Sequence, residues 1–176
     1  MTPSGRCLRL ALKLAVLLLS ITSARGEDLP EYRLKAAFLY NFVVFTEWPA
    51  DVGAQLNLCV VGQDPFGADL DALNSKTVGH RSIVVQRLVG RPSISGCQVL
   101  FIARSAIGGL SQLLAGAGNN PVLTVADSPN AANDGVAINM AVQDAKVFFQ
   151  VNLKAVRGAR LNLSSKLLRL AREIHE

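Results

Sequence analysis

Two cysteines and two aspartates are the residues whose type and placement could do chemistry. Cys59 and Cys97 invite a disulfide, which would constrain the unfolded chain by roughly 3–4 kcal/mol on the loop-entropy estimate. Two buried free thiols are the alternative, since cysteine is among the most buried residue types. A metal pair is the poorest option, because no histidine lies near either one. Asp64 and Asp127 each end an apolar run, at the edge where open α/β sheets take ligands. Both also sit just before a proline, in Asp64-Pro65 and Asp127-Ser128-Pro129. Helix capping explains that spacing without a ligand, so a small-ligand crevice at Asp64 and Asp127 is the second expectation.

Catalytic constellations are missing from the pattern. There is no G-x-S-x-G elbow and no H-E-x-x-H helix. His80 and His175 are the two histidines, far apart in sequence, and each is better read as solvated or satisfied than as a general base. Gly116 and Gly118 fall at a helix end, whereas a phosphate loop needs glycines between a strand and a helix N-terminus. The expectation is a protein that is not an enzyme, with no catalytic residues, no metal and no cofactor.

The compartment comes from the first residues. Arg6, Arg9 and Lys13 precede Leu14-Ala-Val-Leu-Leu-Leu19, and Thr22-Ser23-Ala24 follows. That order is a secretory signal peptide cleaved near Ala24, with an apolar core too short to span a bilayer. Its removal takes three of the 18 basic residues and none of the 13 acidic, so formal net charge falls from +5 to +2. The basic balance belongs largely to the leader, and no nucleic-acid partner is expected. Cys7 leaves with it, and the even pair that remains suits an oxidising compartment. The division is a signal peptide over 1–24 and one domain over 25–176, periplasmic and not membrane-spanning after cleavage.

The elements that position these residues follow from periodicity. Glu31 to Trp48 reads as a helix, uninterrupted by glycine or proline and stopped by Pro49. It is apolar nearly all round, so it must be covered on more than one side; Phe38, Phe42 and Trp48 are candidate contacts to a second subunit or a partner. The β-branched pair Val43-Val44 admits a strand at that end. Apolar runs at 56–62, 82–88, 97–103 and 121–126 read as strands, with helices expected at 66–73 and 105–115. Strands at 136–142 and 146–153 form a hairpin, and a final helix presents Leu163, Leu167, Leu170 and Ile174 as its buried stripe. Lys166, Arg169 and Arg172 line another face of it, where an acidic partner or phospholipid headgroups compete with plain solvation. The fold class is α/β: a single domain with a mixed, largely parallel sheet flanked by helices, a C-terminal antiparallel hairpin and a closing helix.

Stretches at the two ends of the domain carry a resemblance. Tyr32-Arg-Leu-Lys-Ala-Ala-Phe-Leu-Tyr-Asn-Phe-Val-Val-Phe-Thr-Glu-Trp-Pro49 resembles the opening helix of the YfiR-like family of exported regulatory proteins. Val147-Phe-Phe-Gln-Val-Asn-Leu153 and Leu161-Asn-Leu-Ser-Ser-Lys-Leu-Leu-Arg-Leu-Ala171 are similar to its closing strand and helix. The resemblance implies a periplasmic protein, often a homodimer, that binds the periplasmic sensor portion of an inner-membrane diguanylate cyclase and represses it, limiting cyclic di-GMP and biofilm formation. It also implies that Cys59 and Cys97 are bonded to each other. A small-ligand receptor feeding a membrane sensor kinase is the alternative role.

Overall fold

The computed structural model describes residues 28–90, 93–144 and 146–176. The leader expected over 1–24 lies outside the described residues. The chain opens on helix α1 (Asp28–Val44) and a short strand β1 (Thr46–Glu47), then β2 (Gln55–Val61), α2 (Ala68–Asp71), β3 (Thr77–Val78) and β4 (Arg81–Leu88). Strand β5 (Val99–Ile102), a 3-10 turn (Arg104–Gly109), α3 (Leu110–Ala117) and β6 (Leu123–Ala126) follow. The last part is β7 (Ile138–Gln143), β8 (Lys146–Asn152), α4 (Leu153–Gly158), β9 (Asn162–Leu163), α5 (Ser165–Leu168) and β10 (Glu173–His175).

Eight strands make one sheet in the order β10-β8-β7-β6-β5-β2-β4-β3, and β1 pairs with β9 apart from it. The ladders β4-β2, β2-β5, β5-β6 and β6-β7 are parallel, and β7-β8 is the expected antiparallel hairpin. Central parallel strands bury both faces, which is why β5 and β6 are buried at every position. Alternation then divides the core. Leu58 and Val60 of β2 join Phe101, Val125, Met140 and Phe149 on the α1 side. Cys59 and Val61 join Leu100, Ile102 and Leu110 on the α3 side.

Three elements depart from the periodicity. Helix α1 stops at Val44 and the chain becomes strand β1, paired antiparallel with β9. Side chains take over the last carbonyls: Thr46 Oγ1 donates to Phe42 O at 2.6 Å and Trp48 Nε1 donates to Val43 O at 3.1 Å. Gly108-Gly109 delays α3, so the segment begins as a 3-10 turn. The closing helix is only α5, with Leu167 buried as expected, while Leu163 is buried in strand β9 ahead of it. The rest of the expected stripe fails, because Leu170 is 69% exposed and Ile174 42%. Beyond Leu168 the chain pairs as β10 with the open edge of β8, a demand for backbone hydrogen bonds that side-chain periodicity does not register.

Candidate functional site

Strand β2 is followed in the sheet by β4 on one side, while β5 returns to its other side. The order therefore reverses between β2 and β5, and the C-terminal ends of that pair are where an open α/β sheet forms a crevice. Gln63, Asp64 and Pro65 beyond β2, Ala103, Arg104 and Ser105 beyond β5, and Tyr32 of α1 line a cavity of about 230 Å³ there. A second cavity of about 580 Å³, lined by Gly62, Gln63, Leu88, Ser105 and Leu113 among others, adjoins it on the α3 side. Gln63 and Ser105 belong to both.

Gly62, lining the larger cavity, packs tightly against the shared Ser105. Its φ of +95° suits glycine, and a Cβ there would lie 2.6 Å from Ser105 Oγ. Ser105 Oγ accepts the Gln63 N–H at 2.8 Å, which ties the two strand ends together.

Asp64 lines the crevice but caps no regular helix. Its Oδ1 accepts the Phe66 N–H at 2.8 Å and its Oδ2 accepts Arg87 Nε at 2.7 Å. Arg87 Nη1 also donates to Asp71 Oδ1 at 2.7 Å. Bonds to Asp71 and Asp64 push the Arg87 guanidinium further above its usual value.

Asp127 departs from the capping expectation, since turns rather than a helix follow it. Its Oδ2 accepts Lys35 Nζ at 2.7 Å and Tyr32 Oη at 2.8 Å. Arg104 Nε donates to the Asp127 carbonyl at 3.1 Å, and lies 3.5 Å from Oδ2. Lys35 Nζ also donates to Glu31. A buried charge is costly unless paired and hydrogen-bonded, and here Lys35 and Asp127 are both shut from water. Burial, then the bond to Asp127, raises the Tyr32 phenol above its ordinary value. The two aspartates thus sit at the same sheet edge in different roles: Asp64 faces the crevice, and Asp127 anchors the helix beside it.

Lys35, Tyr32 and Arg104 were not legible as site residues. The one available signal was Lys35 itself, a cation four positions after Glu31 within an apolar helix. Of the candidate contacts on α1, Phe42 is fully buried, with ring centroids 5.0 Å from Phe149 and 6.0 Å from Phe38. It offers no surface as the chain stands. Phe38 and, beyond β1, Trp48 are partly exposed, and Arg33, Leu34, Ala37, Asn41 and Val44 are the exposed positions of the helix.

Cys59 and Cys97 are bonded to each other, joining β2 to the approach of β5. Among the described residues no cluster of three or more His, Cys, Asp or Glu side chains forms a ligand set. No helix among them is long and apolar enough to cross a membrane. The profile of the YfiR/HmsC-like family matches the chain over residues 32–172. No curated protein matches it.

Proposed function

The chain belongs to the YfiR/HmsC-like family, and from that membership we propose that it is a periplasmic regulator, not an enzyme, which binds the periplasmic sensor portion of an inner-membrane diguanylate cyclase and holds it inactive. Residues 25–176 form the working domain once the leader is cut near Ala24, and the protein acts as a homodimer. Repression by binding needs only different affinities for two states of the partner. Moving a partner from 99:1 to 1:99 takes about 5.5 kcal/mol of such preference.

The observation that supports this reading is the outer face of α1. Its inner side chains, among them Leu39 and Phe42, are wholly buried, yet Leu34 stays 43% and Val44 37% exposed. Phe38 and Trp48 flank that face, half-buried. Apolar side chains held outward on a firmly packed helix, beside the polar Arg33 and Asn41, offer a surface to another protein. In cells, loss of the protein should raise cyclic di-GMP, and a Leu34→Glu/Val44→Glu variant should be exported and folded but fail to restore repression. Unchanged cyclic di-GMP on loss of the protein would defeat the reading.

The crevice at the strand reversal favours a second role, a small-ligand receptor feeding a membrane sensor kinase. Thermal-shift screening with small polar ligands tests it, using Asp64→Ala and Arg104→Ala as controls. Asp127→Ala is a poor control, because it also strips Lys35 of its partner. A shift that both controls abolish supports a receptor; no shift with any ligand leaves the crevice a structural feature only.

A further inference from the structure

Between Asp144 and Glu173 the chain carries seven lysines and arginines and no acidic residue. All seven side chains are exposed. Arg160 pairs with Asp51 at 3.2 Å, and Arg172 stacks over Phe148 while donating to Gln143. Among the described residues Lys146 on β8 makes no ion pair, and neither do Lys154, Arg157, Lys166 and Arg169. These four sit on α4 and around α5, and α4 packs against both β9 and β10. The cations therefore belong to one lobe at the β8-β10 edge of the sheet. Leu170 follows Arg169 directly and is 69% exposed.

We propose that this lobe docks on an anionic phospholipid surface, with the four cations among headgroup phosphates and Leu170 entering the acyl boundary. Charge complementarity names the occupant. Each Lys or Arg near an anionic membrane contributes about 1 kcal/mol, roughly fivefold in binding. The pattern fits a diffuse layer of charge better than an acidic protein. The side chains come from separate elements, and among the described residues none of the four is held by an ion pair to a carboxylate, whereas a specific acidic partner would favour a fixed, bidentate arrangement. One large apolar side chain presented among cations is how an interfacial segment adds burial to electrostatics. Docking would concentrate the protein beside membrane-embedded partners of any kind, so it does not depend on the cyclase assignment.

The test uses processed protein recovered from the periplasm, sedimented with phosphatidylcholine vesicles with or without phosphatidylglycerol. Binding should require the anionic lipid and weaken as salt shortens the screening length. Lys154→Gln/Lys166→Gln/Arg169→Gln should reduce it on the order of 100-fold, and Leu170→Asp should reduce it separately, with melting temperatures unchanged. Equal binding to both vesicle types, no binding to anionic vesicles, or a triple variant that binds as tightly as the parent would each overturn the proposal. Retention on immobilised polyglutamate without vesicle binding would also overturn it, assigning the lobe to an acidic protein.

Discussion

Lys35 and Asp127 lie 92 positions apart and meet as an ion pair at 2.7 Å, with 0% and 1% of their side chains exposed. The pair fastens the upper part of α1 to the C-terminal end of β6, one strand from the reversal where the crevice opens. The outward face of α1 and the crevice wall at Tyr32 and Arg104 therefore share one anchor. Anything that displaces Arg104 from the Asp127 carbonyl acts on the same carboxylate that holds the helix.

Breaking that anchor from one side should be costly. Lys35→Met leaves the Asp127 carboxylate buried beside Tyr32 and the more exposed Arg104, and a buried pair broken singly loses about 3–5 kcal/mol. Lys35→Met/Asp127→Leu should recover much of that loss, because well-packed apolar side chains replace buried pairs at little net cost. Urea midpoints of the two single variants and the double variant give the coupling energy. A midpoint unmoved by Lys35→Met would show that the pair holds nothing.

Tyr32 adds a pH dependence at the alkaline end. Burial and the bond to Asp127 raise its folded-state value above the 10.0 of a free phenol. A raised acid contributes stability that is fully present below the unfolded value and is lost as pH climbs through and beyond it. The stability advantage of the parent over Tyr32→Phe should thus shrink between about pH 9 and pH 11. A constant difference across that interval would mean that the phenol ionises alike in both states.

The strands were legible because parallel strands buried on both faces leave plain apolar runs, as at 56–62 and 97–103. The reversal of strand order was not, since it depends on which side of β2 each later strand pairs, and that choice leaves no local pattern. Phe42 and Leu34 show the same limit on one helix. A stretch apolar nearly all round says that several faces are covered, but only the sheet decides that Phe42 points inward and Leu34 outward. Asp127 stands out by its place at a strand end, while its partner Lys35 is hidden by distance along the chain. Ile174 misled because helical spacing continued past the point where the edge of β8 claimed the backbone.

The Cys59–Cys97 bond closes a loop with a sequence separation of 38. Its removal by Cys59→Ala/Cys97→Ala should lower unfolding stability by roughly 3–4 kcal/mol on the loop-entropy estimate. Cys59 is fully buried and Cys97 nearly so, so thiol reductants should act slowly on folded protein and quickly in denaturant. Reduction at equal rates in both conditions would show that the bond is reached without unfolding.

Gly62→Ala tests the close packing of the β2 and β5 ends beside the two cavities. It places a side chain at φ +95° and 2.6 Å from Ser105 Oγ, two separate penalties of order 1–3 kcal/mol together. Ser105→Ala in the same chain removes the closest contact but leaves Ala106 Cβ at 3.0 Å and the backbone strain, and it costs the Gln63 N–H its acceptor. Gly62→Ala, measured against Ser105→Ala alone, should therefore cost less than in the parent but still cost something. No cost on that background would assign the whole loss to the Ser105 contact, and no loss in the parent would mean that the strand end shifts freely.

The sharpest separation between core and surface lies along α1. Phe42→Ala removes a ring packed on Phe38 and Phe149 and should cost about 3–5 kcal/mol; Phe42→Glu should not fold. Leu34→Glu alters a side chain already 43% exposed, so its stability should stay within about 0.5 kcal/mol of the parent. If the outward face of α1 is the surface shared with a second copy or a partner, Leu34→Glu and Val44→Glu should weaken association while melting normally. Sedimentation of both variants beside the parent separates the two effects. A folded Leu34→Glu/Val44→Glu protein that associates as the parent does would move the interface off this helix, leaving its exposed stripe to solvent.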